Sequence, residues 1–212
     1  MPLSLSPISI SILEIPIHHV TMQDTLTHIT HWMTEPRLHH IATANPEFIM
    51  AAQQDAEFKQ ILSQADLCLA DGIGLIYASK WQGTPLPERV PGSELVYHLA
   101  EQCAQHGWRL FLLGAAEGVA AEAAHILQTQ YPTLIIAGPH AGSPAPAEND
   151  HIVNLINTSQ ADVLYVAYGA PNQDKWIARN KETLTTVRVA LGVGGALDFI
   201  TGRTTRAPRW VQ

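Results

Sequence analysis

Apolar and polar positions in this chain follow two alternating rhythms. Short runs that are apolar almost throughout are separated by longer stretches in which apolar residues recur three to four apart. The first pattern reads as strands buried on both faces and the second as helices. Strands are predicted at "ISISILEIPI", "HHIATAN", "DLCLAD", "WRLFLLG", "LIIAG", "DVLYVAYG" and "VRVALGV". A helix opens at Thr21, with Asp24 completing an imperfect capping box. Asn45, Pro46 and Glu47 form a strong helix start, and that helix runs unbroken through "FIMAAQQDAEFKQILSQA". "GIGLIYASKWQG" is a short helix, and "PGSELVYHLAEQCAQHG" is a longer one with Ser93 as cap and Gly107 as stop. Helices also cover "AAEGVAAEAAHILQTQYP", "HIVNLINTSQ" and "PNQDKWIARNKETL", and "GPHAGSPAPAEND" is a surface loop. The alternation predicts an α/β fold: a Rossmann-like, mostly parallel sheet with helices on both faces, in a single domain.

Such sheets bind ligands beyond the carboxyl ends of their strands. The predicted strands end in polar or glycine residues: Thr43 and Asn45, Asp71 and Gly72, Gly114, Gly169 to Gln173, and Gly192 to Gly195. Asp71 reads equally as a helix cap and as a catalytic carboxylate. Thr43 reads as a strand-end hydroxyl, Arg89 as a loop charge, and Asn172 and Gln173 as caps or ligand contacts. Gly114 precedes a helix N-terminus suited to a phosphate. "LGVGGALDF" approaches a dinucleotide loop, but Leu197 stands where its last glycine belongs.

Composition narrows the choice. The 212 residues are 46% hydrophobic and 15% charged, with a net charge of −7, which argues against a nucleic-acid partner. Cys68 and Cys103 lie in apolar surroundings and read as buried free thiols in a reducing, cytoplasmic setting. No apolar run reaches the length of a membrane span, so membrane contact is expected to be peripheral. His18-His19 and His39-His40 are adjacent pairs at strands. Adjacent residues on a strand face opposite ways, so no metal site is expected from either pair. There is no GxxxxGK[ST], HExxH, GxSxG or D-x-D motif. Arg203, Arg206 and Arg209 with Trp210 form a basic, aromatic cluster near the end.

The ordered blocks "TANPEFI", "ADGIGLIYASKWQG", "ERVPGSEL", "LFLLGAAEGVAAEAA", "VAYGAPNQDKW" and "GVGGALDFITGRTTRAPRW" resemble the WecG/TagA/CpsF family of bacterial glycosyltransferases. The resemblance implies inverting, metal-independent transfer of a hexose, typically N-acetylmannosamine. It implies a UDP-sugar donor, a polyprenyl-diphosphate-linked N-acetylglucosamine acceptor, and no cofactor. The products of such enzymes serve wall teichoic acid, common antigen or capsule synthesis. By the same resemblance Asp71 is the candidate base and Thr43 a neighbouring active-site residue. Arg89 and Gln173 would contact donor or diphosphate, with Asn45, Gly114, Asn172, Gly194 and Gly195 as further substrate contacts. Relatives continue past "APRW" into a basic, aromatic segment for the inner face of the membrane, so this chain is expected to lack part of that segment. Homo-oligomer formation stays open. Two other classes compete: a nucleotide-dependent oxidoreductase on a Rossmann-like sheet, and a non-catalytic nucleotide-binding module.

Overall fold

The computed structural model describes residues 7–204. Its centre is a six-stranded sheet, parallel throughout, with the order β4-β3-β8-β7-β5-β6. These strands are β3 (His39–Ala44), β4 (Leu67–Ala70), β5 (Arg109–Gly114), β6 (Ile135–His140), β7 (Val163–Ala167) and β8 (Val189–Gly192). Their side chains alternate between two apolar layers. On one face Ile41, Leu69, Leu112, Tyr165 and Leu191 pack against α1 (Met22–Trp32), α5 (Gly92–His106), α6 (Val119–Gln130) and α9 (Ala196–Ile200). On the other, Ala42, Ala44, Cys68 and Ala70 meet α2 (Pro46–Gln54), α3 (Ala56–Gln64) and α4 (Ile73–Trp81). The same face carries Leu113, Leu164 and Ala190 against α7 (Pro146–Ser159) and α8 (Asn172–Arg179). The expected layered α/β architecture is therefore observed.

The structure divides two elements that the sequence pattern joins. "ISISILEIPI" is a hairpin, β1 (Ser9–Ile12) and β2 (Ile15–His18), paired antiparallel outside the main sheet. Leu13 and Glu14 make its turn with φ of 47° and 67°. Such turns usually carry Asn or Gly, so this one leaves no signal in the sequence. The long helix after Asn45 breaks at Asp55, whose φ of −130° is extended and whose carboxylate accepts the Phe58 N–H at 3.0 Å. Asp55 caps a second helix in the middle of an otherwise continuous periodicity. Helix α5 starts after Pro91 rather than at a Ser93 cap, while Gly107 ends it in the left-handed region as expected. Strand β6 continues through His140 and α7 begins at Pro146, so the expected loop shrinks to residues 141–145.

His39 and His40 point to opposite faces of the sheet, as strand geometry requires. His39 is buried and stacks on Trp32 with ring centroids 4.4 Å apart. His40 turns the other way, toward α8. Asp66 gathers this end of the sheet, bonding Arg37 at 2.6 Å, the His40 N–H at 2.9 Å and Lys181 at 3.2 Å. Burial alone would raise its carboxyl, but hydrogen bonds from His39, His40 and Arg37 prevail and hold it far below the usual range. Burial, by contrast, pushes His18 below the ordinary imidazole range while its Nδ1 accepts the Cys68 N–H at 2.8 Å. Both shifts make acid destabilising. His18 takes up its proton more readily in the unfolded chain, so stability falls as pH drops below about 6.5. The contribution of Asp66 is present above about pH 4 and lost below it. Thermal melts across pH 7.5 to 4 should show this loss. His18→Asn, which keeps an acceptor without the titration, should flatten its upper part; an unchanged profile would remove His18 from the account.

Cys68 and Cys103 are buried free thiols, as expected, and burial pushes both thiols up. Ile73, Tyr77 and Trp81 lie exposed at i, i+4 and i+8 along α4. Among the described residues, no helix is long and apolar enough to cross a membrane.

Candidate active site

Parallel pairing sets Thr43 beside Leu69 and Ala44 beside Ala70. The next residues, Asn45 and Asp71, therefore leave the sheet together, and the Asp71 N–H donates to the Ala44 carbonyl at 2.8 Å. Asn45 turns its side chain to α2 and caps it through the Phe48 N–H at 2.9 Å. The N-cap of α4 falls on Gly72, which has no side chain to cap with, and not on Asp71. Space, not a special φ, requires the glycines of "DGIG". A Cβ on Gly72 would lie 2.5 Å from Pro46 Cδ, and one on Gly74 would lie 2.8 Å from Pro46 Cγ. The two glycines let α2 and α4 start side by side over neighbouring strand ends, which leaves Asp71 at the rim between them.

The loop that follows α4 returns to the same rim. The Val90 N–H donates to the Ala70 carbonyl at 2.8 Å and brings Arg89 next to the end of β4. The Arg89 side chain is 25% exposed and stands 3.9 Å from Glu94. Gly92 lets α5 close on β3, since a Cβ there would lie 2.9 Å from Thr43 Cγ2. The buried Thr43 hydroxyl donates to the Gly192 carbonyl at 3.2 Å, tying β3 to β8. Gln173, in the first turn of α8 and 1% exposed, accepts the Gly194 N–H at 2.8 Å.

These groups surround one cavity of about 310 Å³ at the carboxyl ends of β3, β4 and β8. Of the residues singled out from sequence, Thr43, Asn45, Asp71, Arg89, Gln173, Gly194 and Gly195 line it. Gly114 and Asn172 are not among its lining residues. Gly114 backs onto Ala167 instead, where a Cβ would lie 2.8 Å from the carbonyl carbon. Because the Gly194 amide already serves Gln173, it is not an open donor for a phosphate while that bond holds. Gly92, Ser93 and Phe199 also line the cavity. "PGS" at a helix start beside Arg89 held a signal for the first two; nothing local marked Phe199, which arrives through the packing of α9. Among the described residues, no group of three or more His, Cys, Asp or Glu side chains is placed to hold a metal ion. Arg203 bonds Glu122 at 2.7 Å; Arg206, Arg209 and Trp210 lie outside the described residues.

A carboxylate, a guanidinium, a hydroxyl and a carboxamide around one concave site suit proton transfer next to a phosphorylated leaving group. The model of the glycosyl transferase WecG/TagA/CpsF family matches residues 10–212, which span every element lining the cavity. The chain belongs to this family. An N-acetylglucosaminyldiphosphoundecaprenol N-acetyl-beta-D-mannosaminyltransferase from Bacillus spizizenii is 36% identical over 168 residues, covering 79% of this chain and 64% of that protein. A protein of the same name from Staphylococcus aureus is 30% identical over 201 residues, covering 94% of this chain and 78% of its own length. The chain thus spans a little under two thirds of the Bacillus relative.

Proposed function

We propose that this protein moves N-acetylmannosamine from its UDP derivative to a polyprenyl-diphosphate-linked N-acetylglucosamine, with inversion, at the inner face of the membrane, in the synthesis of a cell-surface polymer. The reading is carried by one observation: Thr43, Asp71, Arg89 and Gln173, from four separate sequence blocks, line a single cavity. The names of the relatives supply the sugar and the acceptor.

A sugar hydroxyl is a weak nucleophile. In this reading the Asp71 carboxylate takes its proton as the hydroxyl attacks the anomeric carbon, while the bond to the diphosphate breaks. A single displacement inverts that carbon and forms no enzyme-bound intermediate. Arg89 takes up the charge that grows on the departing UDP. Gln173 fixes the β8–α9 turn through Gly194, and Thr43 fixes the end of β3 to β8. The exposed apolar face of α4 begins two residues after Asp71 and agrees with an acceptor that carries a lipid.

The decisive experiment offers UDP-N-acetylmannosamine and a short-chain lipid-diphosphate-linked N-acetylglucosamine to the purified protein. Disaccharide-lipid product supports the reading. UDP binding without transfer favours a binding module, and hydride exchange with a nicotinamide cofactor favours an oxidoreductase. We further propose that transfer needs no divalent metal, Arg89 doing the work of a cation. Activity should survive chelation; complete loss restored by magnesium or manganese would overturn this part.

A further inference from the structure

Directly behind the cavity lies a buried histidine–aspartate pair that the proposed chemistry does not use. Asp174 follows Gln173 in the first turn of α8 and is 0% exposed; His40 lies on β3, three residues before Thr43, and is 3% exposed. Asp174 Oδ1 and His40 Nε2 are 3.0 Å apart. The other carboxylate oxygen, Oδ2, is buried with no hydrogen-bond partner among the described residues. Full burial of a carboxylate on a single strong partner is costly, and a buried unsatisfied oxygen asks for a reason. An apolar residue would hold α8 on the sheet at less expense.

The reason lies in what the pair aligns. Gly192 ends β8 with no side chain, and a Cβ there would lie 2.6 Å from Gln173 Nε2 and 3.2 Å from Asp174 Oδ1. Gln173 and Asp174 therefore rest together on the last residue of β8, one reaching forward to the cavity and the other back to β3. Gln173 then holds the Gly194 N–H in the turn that lines the cavity. In the same first turn, Lys175 bonds Asp55 at 2.8 Å and Glu57 at 2.7 Å, but these ion pairs are more exposed and constrain weakly. We propose that Asp174 and His40 are positioning residues: their bond sets the rotation of the first turn of α8, and thereby the place of Gln173 and of the Gly194 turn against the donor. The effect on turnover rests on the transfer reaction proposed above; the effect on Gly194 does not.

Two substitutions of similar size separate positioning from mere stability. His40→Gln keeps an N–H donor near the place of Nε2, whereas His40→Asn offers one only near Nδ1. The Gly194 amide resonance, read by NMR without substrate, reports the Gln173 bond directly. His40→Gln should leave that resonance and kcat close to wild type. His40→Asn and Asp174→Asn should both move the resonance and lower kcat by about one to two orders of magnitude, the usual result of a small misplacement. Combining His40→Asn with Asp174→Asn should add little to either alone. The proposal is overturned if the two His40 variants behave alike, or if all variants lose thermal stability while the Gly194 resonance and kcat stay put. A wild-type protein silent toward the sugar donor would sink the functional reading, yet the amide measurement would still decide this one.

Discussion

Asp71→Asn should slow sugar transfer by about two to four orders of magnitude while the protein stays folded and still binds UDP. A loss of that size corresponds to roughly 3–5 kcal/mol of transition-state stabilisation, more than a surface cap contributes. The backbone around Asp71 is fixed independently of its side chain. Its N–H bonds Ala44, the preceding carbonyl receives Val90, and Gly72 is wedged against Pro46. Asparagine keeps the shape and most of the hydrogen bonding of aspartate, and is itself a good helix-capping residue. The substitution therefore removes basicity and charge and little else. Steady-state kinetics, UDP titration and a thermal melt on the same preparation test it. Near-normal kcat with a lower melting temperature would return Asp71 to a structural part at the start of α4.

Much of this site was legible in the sequence because its residues sit where strands stop. Buried parallel strands announce themselves as apolar runs, and "TAN", "LAD" and "LGVGG" each mark the point at which a run meets polar or glycine residues. The pairing was not legible. Nothing local says that Asn45 and Asp71 leave the sheet side by side; that follows from the β3–β4 register and from a strand order that also seats β8 beside β3. The same holds for Phe199 and for Asp174, whose roles exist only after α9 and α8 have packed. The two elements divided by the structure failed for a local reason. Leu13-Glu14 turns without a turn residue, and Asp55 breaks a helix whose apolar spacing continues across the break. Gly114 carries a second, structural demand that the sequence did not reveal. A glycine after a strand suggested a phosphate loop, yet its lack of a side chain is needed for contact with Ala167.

Arg89→Ala should lower kcat by about two to three orders of magnitude, the scale seen when one preorganised donor to a developing anion is removed. The motive is placement. Val90 is fastened to the strand end one residue before Asp71, so Arg89 projects from an anchored loop into the cavity that Asp71 also lines. Glu94 stands 3.9 Å away and its side chain is 46% exposed, so that pairing is a weak one, and the fork of a guanidinium suits the oxygens of a diphosphate. Since the loop is held by backbone bonds and by the buried Val90, truncating Arg89 should cost little stability. Arg89→Lys should recover only part of the rate, because an ammonium restores the charge but not the paired donors. Glu94→Ala serves as a control and should change turnover far less. The comparison to make is kcat and donor KM for the three variants beside their melting temperatures. Equal turnover in Arg89→Ala and wild type would show that the leaving group is stabilised elsewhere, and a collapse in melting temperature would make Arg89 part of the scaffold.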